Sequence, residues 1–282
     1  MRARRMPRRA GGQALVEYLI IFPALLMLVL GVVQFAMLYR IKSTLEYATF
    51  AAARQGALKS AKTSSIKDAL AAGMTPLFTF GPDLGSLARG RAIALIEVYN
   101  PLTTELEVLS PTKAAADDFA IDDPNDTSKR IIPNDNLMYR PTSAGGSSGI
   151  NIQDANLLKI RVTYCARLIV PFANVVIYSL VNGISGTQNL SWEWFGESSS
   201  TATSPNMCSQ LKDKYGEPVD DVVAAAAQFG FDASFLNDAL NDISAAVSGF
   251  TIPGLDWEIG GYRIPIVADA VVRMQTPAQF DK

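Results

Sequence analysis

The chain has 282 residues, of which 49% are hydrophobic and 18% are charged, and its formal net charge is −2. This composition suffices for a folded core and excludes a disordered chain, while the slight acidic excess excludes the basic surface typical of a nucleic-acid-binding protein. The sequence contains no histidine, so the usual general base of a serine or cysteine hydrolase is missing.

The N-terminus combines a basic leader with a long apolar run. Arginines crowd residues 2–9, and residues 14–39 are then almost entirely apolar, with Glu17 and Gln34 as the polar exceptions. About 20 such residues cross a hydrocarbon core roughly 30 Å thick, so we predict a transmembrane span over 14–39. The run is longer than the apolar region of a signal peptide and lacks a small-residue cleavage site after it, which predicts that the span is retained.

The flanking charges predict the orientation. Many more basic residues precede the span than the pair Arg40 and Lys42 that closely follows it. The positive-inside rule therefore keeps the N-terminus in the cytoplasm and sends the C-terminal part across. We expect a single-pass protein of a bacterial inner membrane with a periplasmic domain.

Glu17 is the most informative residue of the span. A carboxylate at membrane depth costs a few kcal/mol on insertion scales, so it indicates a functional site and requires a cationic partner. Its surroundings, Gly12-Gln13-Ala14-Leu15-Val16-Glu17-Tyr18, have the form G-x-x-x-x-E-Y. This motif resembles the processing site of prepilins of the Tad (tight adherence, Flp-type) pilus system.

The resemblance implies a set of residue roles. A prepilin peptidase would cut after Gly12, leaving Gln13 as the new N-terminus, and Glu17 with Tyr18 would set assembly and register. The freed amine of Gln13 is a suitable cation for Glu17. Four residues rise about 6 Å along a helix, so a staggered neighbouring chain could supply that amine, and so could the same chain, because positions i and i+4 share a face.

The chain is too long for a major pilin of this system, which is mostly one helix. Pro23 after the motif, the leucine-rich run and a polar residue at position 34 resemble TadE-like minor pilins, or pseudopilins. We would expect Glu rather than Gln34 in many relatives. Residues 51–57 and 264–267 also look TadE-like. Pro23 removes a backbone donor and is predicted to kink the helix.

The helix is expected to continue beyond the membrane to about residue 58. Apolar residues recur there at spacings of three and four, which predicts a stripe that packs on the protein's own domain or, alternatively, on a partner helix. The members of the stripe are Leu38, Ile41, Leu45, Ala48 and Ala52. We therefore divide the chain into a leader (1–12), an N-terminal helix (13–58) and a periplasmic globular domain (59–282).

The exported part is predicted to be α+β, with a mixed domain built on an antiparallel sheet, as in pilins. Ser65 and Gly73 bound a predicted helix over 65–72, and the polar segments 117–136 and 142–149 predict surface loops. Alternation or apolar runs predict strands, and Pro265 favours an edge position for the last of them or a bulge near its start. The predicted strands are 92–99, 105–109, 158–164, 191–195 and 262–274, and 218–248 is predicted to be helical.

Cys165 and Cys208 both fall in the periplasmic part, where an oxidising compartment favours a disulfide. The alternative is a pair of unbonded thiols. A zinc site is not expected, because the chain has no histidine and no C-x-x-C. We expect neither metal nor cofactor.

Three further patterns have weaker functional interpretations. Residues 145–149 match G-x-S-x-G but follow no apolar strand, so we do not expect an enzyme. The acidic stretch 122–126 lacks an EF-hand glycine and final glutamate, which leaves a structural calcium ion as the alternative to solvated acids. Trp192 and Trp194 point the same way on a strand and suit core packing, a subunit interface or sugar stacking.

The resemblance thus implies a non-enzymatic minor pilin or pseudopilin that helps to assemble a Tad-type adherence pilus. Its implied partners are a prepilin peptidase, other Tad pilins or minor pilins, and the inner-membrane assembly platform, and the protein itself could enter the pilus. The alternative is a membrane-anchored periplasmic binding or adhesin domain unrelated to pili.

Overall fold

A computed structural model describes residues 11–124, 126–185, 208, 211 and 261–281. Helix α1, Gly11–Leu58, has 48 residues, which corresponds to a length of about 72 Å. Among the described residues it is the single helix that is long and apolar enough to cross a membrane. The remaining described elements form a domain around its C-terminal half.

The other helices and strands follow in chain order. The helices are α2 (Thr63–Phe78), α3 (Leu84–Tyr99), α4 (Lys113–Phe119), α5 (Ile152–Ala155) and α6 (Ala173–Ser185), with a 3-10 turn at Leu137–Tyr139. The strands are β1 (Thr104–Ser110), β2 (Ile121–Asp122), β3 (Lys129–Ile132), β4 (Leu157–Arg167), β5 (Arg263–Arg273) and β6 (Ala278–Asp281).

The described strands form two antiparallel sheets. One has the order β1-β4-β5 and the other the order β2-β3-β6. In the first sheet Val162 of β4 lies opposite Leu106 of β1 and Ala268 of β5. Both sheets therefore depend on strands from the C-terminal end of the chain. Together with the long apolar helix, they confirm the predicted α+β class and its antiparallel sheet.

The core lies between α1, α2 and the first sheet. Leu45 and Ala48 of α1, Leu70 of α2 and Ile160 of β4 are all fully buried and belong to one cluster. From Leu157 to Tyr164, successive side chains of β4 alternate between half-buried and buried, because a strand turns every second residue to the same face. The alternating pattern of residues 158–164 therefore correctly predicted this strand.

Gly73 lies in the middle of α2 and does not end it. A Cβ atom added at Gly73 would lie 2.7 Å from both the Cα and the Cβ of Ala48. The glycine thus lets two helix backbones approach closely, and the prediction that it terminates a helix over 65–72 is wrong. A close approach between helices is a tertiary requirement that the local sequence does not reveal.

Two other local predictions also fail. The strand predicted over 92–99 is part of α3, whose residues from Ala92 to Val98 are all buried, so the apolar run carries no visible helical period. The predicted loop 117–136 contains the end of α4 together with β2 and β3, and β3 pairs with the distant β6. Short strands held by a remote partner are poorly signalled by local sequence.

The strands predicted over 105–109 and 262–274 are confirmed as β1 and β5. Pro265 lies in β5, which is an edge strand of its sheet as described, in agreement with the lack of a backbone donor at proline. Residues 191–195, with Trp192 and Trp194, and residues 218–248 lie outside the described residues.

Candidate functional site

The motif that resembles a processing site lies in the first turns of α1. Gly12 and Gln13 are helical, close to the beginning of the helix at Gly11. Glu17 follows Gln13 by one turn and is exposed, as is Tyr18 at 65%. Because positions i and i+4 share a helix face, Gln13 and Glu17 lie along one line of the helix surface.

Tyr18 makes an aromatic contact along the same helix. Its ring stacks on Phe22 with a centroid distance of 5.4 Å and an interplanar angle of 25°. Both rings remain largely exposed, Phe22 at 46%. The motif therefore presents a carboxylate and two aromatic rings to whatever surrounds the helix.

Pro23 lies inside α1, and the helix continues through it. A proline removes one backbone donor from the helical ladder, a loss that transmembrane helices tolerate. Beyond it, Gly31 has no atom within 4 Å of an added Cβ. This part of α1, residues 16–33, is exposed or half-buried at every position, and we call it the lower segment.

Gln34 begins the upper segment of α1, residues 34–58, and is fully buried. Its Oε1 accepts hydrogen bonds from the backbone N–H groups of Ile169, at 3.1 Å, and Val170, at 2.8 Å. The Nε2 atom of Gln34 has no hydrogen-bond partner among the described residues. Gln34 thus fastens the connection between β4 and α6 to the helix, a role that the sequence did not assign to it.

Two cations next join the upper segment to the domain. Arg40 donates from Nη2 to the carbonyl oxygen of Pro76 at 3.3 Å. Lys42 donates from Nζ to the carbonyl oxygen of Val267 at 2.6 Å and pairs with Glu46 at 3.0 Å. The basic residues that flank the apolar run are therefore also contacts between α1, α2 and β5.

A buried ion pair lies close to the disulfide. Arg263 and Glu97 are both 0% exposed and form two hydrogen bonds, of 2.8 Å from Nη2 and 2.9 Å from Nη1. Arg263 Nη1 also donates to the carbonyl oxygen of Cys165 at 3.0 Å. In the structure Cys165 is bonded to Cys208, with Cα atoms 5.5 Å apart. This cluster ties α3, β4 and β5 together.

Burial and charge act against each other in this cluster. Burial favours the neutral form of Arg263, but the charge and hydrogen bonds of Glu97 favour the cation, and the pKa of Arg263 is raised above its ordinary value. Burial, with the charge of Glu97, raises the pKa of the neighbouring Tyr164. Arg263 therefore stays charged and Tyr164 neutral at physiological pH, as expected for a structural cluster.

The G-x-S-x-G segment forms a surface loop fastened to α4. Asp118 accepts hydrogen bonds from the amides of Ser147 and Ser148 and, at 2.6 Å, from the Ser148 hydroxyl. These donors, the hydroxyl foremost, lower the pKa of Asp118 to about 2. A nucleophile elbow requires a strand-to-helix turn, which this loop does not form.

The acidic stretch 122–126 does not converge on a common point. Asp126 accepts hydrogen bonds from the amide and hydroxyl of Ser128, and Asp123 accepts one from Gln279 at 3.1 Å. Within the described part of the chain, no group of three or more acidic, cysteine or histidine side chains could hold a metal ion. The calcium alternative therefore has no geometric support there.

Comparison with known proteins gives one result. Residues 12–54 match the family model described as TadE-like protein. The match begins at Gly12 and lies within α1, so it covers the motif, the lower segment and most of the upper segment. Residues 264–267 lie outside it. No curated protein and no solved structure matches the chain.

Proposed function

From the premise that residues 12–54 are TadE-like, we propose that this protein is a minor pilin or pseudopilin that assembles with other components of a Tad-type adherence pilus. The proposal rests on one observation: the family match covers a helix whose lower segment is exposed on all sides. Such a helix fits a single-pass membrane anchor, and it offers the same surface to other helices once it leaves lipid.

The proposed mechanism begins with processing. A prepilin peptidase cleaves between Gly12 and Gln13 at the cytoplasmic face and leaves α1 from Gln13 onward on the mature chain. The new amine at Gln13 is cationic near neutral pH. It lies one turn from Glu17 of its own chain and, in a neighbour staggered by about 6 Å, beside Glu17 of the next chain. That ion pair sets the register of assembly.

The upper segment has a different task in this proposal. It is embedded in the domain through Gln34, Arg40 and Lys42, so the domain follows the helix as a body. The domain would then be carried to the base, shaft or tip of a pilus on the periplasmic side of the inner membrane. The assembly platform in that membrane is the expected docking partner of the anchored form.

The N-terminus of the protein isolated from membranes tests the first step. We expect a mature chain that begins at Gln13, and a Gly12→Val variant that keeps its leader. The matched control is Gly11→Val, which changes the preceding glycine and should still be cleaved. An intact Met1 in the wild type, or cleavage beyond the span, would contradict the proposal.

Glu17→Ala tests the second step. We expect this variant to be inserted and cleaved normally, because removing a charge from the span makes insertion easier. Its pili, counted on the cell surface or sheared into the medium, should be strongly reduced. Glu46→Ala is the control, since Glu46 is an exposed acid on the upper segment. Normal piliation by Glu17→Ala would exclude the register role.

A further inference from the structure

The end of the domain closest to the lower segment carries exposed apolar side chains on two separate segments. On the first, the α2–α3 connection and the start of α3, Phe80 is 80% exposed, Leu84 62% and Leu87 49%. The second is the β4–α6 connection with α6. Its exposed residues are Ile169 at 61%, Phe172 at 66%, Val175 at 45%, Val176 at 44% and Leu180 at 55%.

Contacts with α1 place the second segment at the depth of Gln34. The amides of Ile169 and Val170 both donate to Gln34 Oε1. Gln34 precedes Arg40, the first charged residue after the span, by six positions, which is about 9 Å along a helix. Ile169 and Val170 therefore lie on the membrane side of the first helix cation. Tyr178 of α6 lies near the same depth, because its ring contacts that of Tyr262 at 5.0 Å and the carbonyl oxygen of Tyr262 accepts from the amide of Leu168.

The first segment reaches the same level from α2. That helix ends at Phe78, and the carbonyl oxygen of Pro76, close to its end, accepts from Arg40. Phe80 follows directly in the connection to α3. Since α2 descends from the end of α1 towards Arg40, the connection that carries Phe80 lies at or below the depth of Arg40.

The composition of α6 supports an apolar environment. The helix reads ANVVIYSLVNGIS and has no charged residue. Tyr178 and Val181 are buried, while Val175, Val176 and Leu180 are exposed. Water on that exposed side would solvate an apolar face that continues directly into the exposed apolar surface of the lower segment.

Phe172 is the most unusual residue of this surface. Its φ of 64° lies in the left-handed region, which is strained for a bulky side chain. The strain does not bury the ring, which remains exposed. An aromatic ring held outward at this depth suits the headgroup–acyl boundary, where amphipathic helices place their apolar side chains.

We propose that both segments, residues 80–87 and 169–180, lie in the outer interface of the same bilayer that α1 spans, with Phe80, Phe172 and Val176 in contact with lipid acyl chains. The occupant of this surface is the membrane itself, because the apolar surface of the lower segment continues onto it. The domain then contacts the membrane through three elements, namely α1 and the two segments, rather than through α1 alone. The proposal rests on the membrane crossing by α1, and it is independent of pilus assembly.

Spin labels on single added cysteines test it in the full-length protein in phospholipid vesicles. The two native cysteines are bonded to each other, so Phe80→Cys, Phe172→Cys and Val176→Cys each provide one free thiol. The measurement is the accessibility of each label to oxygen, which concentrates in lipid, and to a water-soluble nickel chelate. Phe35→Cys, in the span, is the lipid control. Tyr139→Cys is the water control: it is 85% exposed, and its turn contacts α5, at the end of β4 opposite to the Gln34 contacts.

We expect all three test labels to show a high oxygen and a low nickel accessibility, as at position 35. Nickel accessibility equal to that at position 139 would overturn the proposal. Low accessibility to both reagents would also overturn it, because protein rather than lipid would then cover the surface. A lipid signal from one segment alone would exclude the three-element arrangement.

The two controls separate this inference from the proposed membrane anchor. If the label at position 35 contacts lipid and the test labels do not, only the inference fails. If the label at position 35 is itself in water, the membrane crossing fails, and both proposals fail with it. Where a test variant does not form the native disulfide, Leu84→Cys replaces Phe80→Cys on the first segment, and Val175→Cys or Leu180→Cys replaces a variant of the second.

Discussion

The lower and upper segments of α1 are equally helical and both rich in apolar residues, yet their surroundings differ. Residues of the lower segment are exposed or half-buried throughout, whereas Leu45, Ala48, Ala52 and Ala57 of the upper segment are fully buried. The difference lies in the arrangement of side chains. The lower segment is apolar all round apart from Glu17 near its beginning. The upper segment turns one face of small residues to the domain, and its opposite side exposes charged residues together with aromatic rings, among them Tyr47 at 68% and Phe50 at 52%.

Two consecutive parts of one continuous helix can thus suit two different environments. A helix that is apolar all round suits lipid or other helices in a membrane, and a one-sided helix suits the surface of a folded domain. Alanine at the buried positions of the upper segment allows the neighbouring helix and sheet to approach closely. The stability of the domain should therefore depend on the upper segment and be largely independent of the lower one.

The largest effect is expected from breaking the buried ion pair of Arg263 and Glu97, which joins α3 to β5 inside the domain that packs on the upper segment. Arg263→Met removes the charge and the two hydrogen bonds that Arg263 gives to the buried Glu97 carboxylate, which should lower the free energy of unfolding by about 3–5 kcal/mol. The measurement is urea unfolding of the full-length protein in detergent. Membrane insertion should be unchanged, because the lower segment is untouched.

Arg161→Met is the matched control for that variant. Arg161 also forms a two-bond pair with a carboxylate, Asp269, at 2.9 and 3.0 Å. That pair is solvent-accessible, with side-chain exposures of 21% and 36%, so its loss should cost only about 0–1 kcal/mol. Equal destabilisation by the two variants would show that burial does not determine the contribution of such pairs here.

Two glycine substitutions, one in α2 beside the upper segment and one in the lower segment, test whether the two segments of α1 contribute differently to stability. Gly73→Val inserts a branched side chain where a Cβ would already lie 2.7 Å from the backbone of Ala48, and we expect a loss of about 3 kcal/mol from overpacking. Gly31→Val, in the lower segment, meets nothing within 4 Å and should leave the urea midpoint unchanged. A shift of the midpoint by Gly31→Val would contradict the independence of the two segments.

Gln34 marks the boundary between the segments. Gln34→Leu leaves the amides of Ile169 and Val170 without their acceptor, which should cost about 1–2 kcal/mol locally. Hydrogen exchange of these two amides should accelerate, while amides of β4 further along the strand keep their protection. The neighbouring Phe35→Leu, at a 56% exposed side chain, is the control. Unchanged exchange in Gln34→Leu would exclude the fastening role.

The smallest effect is expected at the surface loop whose Ser147 and Ser148 donate to Asp118. Its pKa in the folded protein is lowered to about 2, so its contribution is present above the ordinary pKa of about 3.9. The contribution is lost as the pH falls from that value towards about 2. Hydrogen exchange of the Ser148 amide should therefore accelerate selectively in this range, after correction for intrinsic exchange, and Asp118→Asn should show the acceleration already at neutral pH. A pH-independent protection factor at Ser148 would contradict this assignment.

Most of the predictions that were wrong concern residues whose role depends on a distant segment of the chain. Gly73 resembles a helix end in the local sequence, but it allows close contact with Ala48. The apolar run 92–99 has no visible helical period because α3 is buried at every position from Ala92 to Val98. Gln34 was recognisable in the sequence as a lone polar residue towards the end of an apolar run. Its partners could not be deduced, because they are backbone amides more than a hundred positions away.

The sequence by itself determined the apolar span, the one-sided stripe above it and the alternating strands. These features depend on local periodicity and on the length of an apolar run, which are properties of consecutive residues. Only the tertiary structure decided the contacts of Gln34 with the β4–α6 connection, the buried pair of Arg263 with Glu97 and the exposed apolar segments beside α1. Each of these joins residues remote in the sequence, and their proximity follows from how the elements pack.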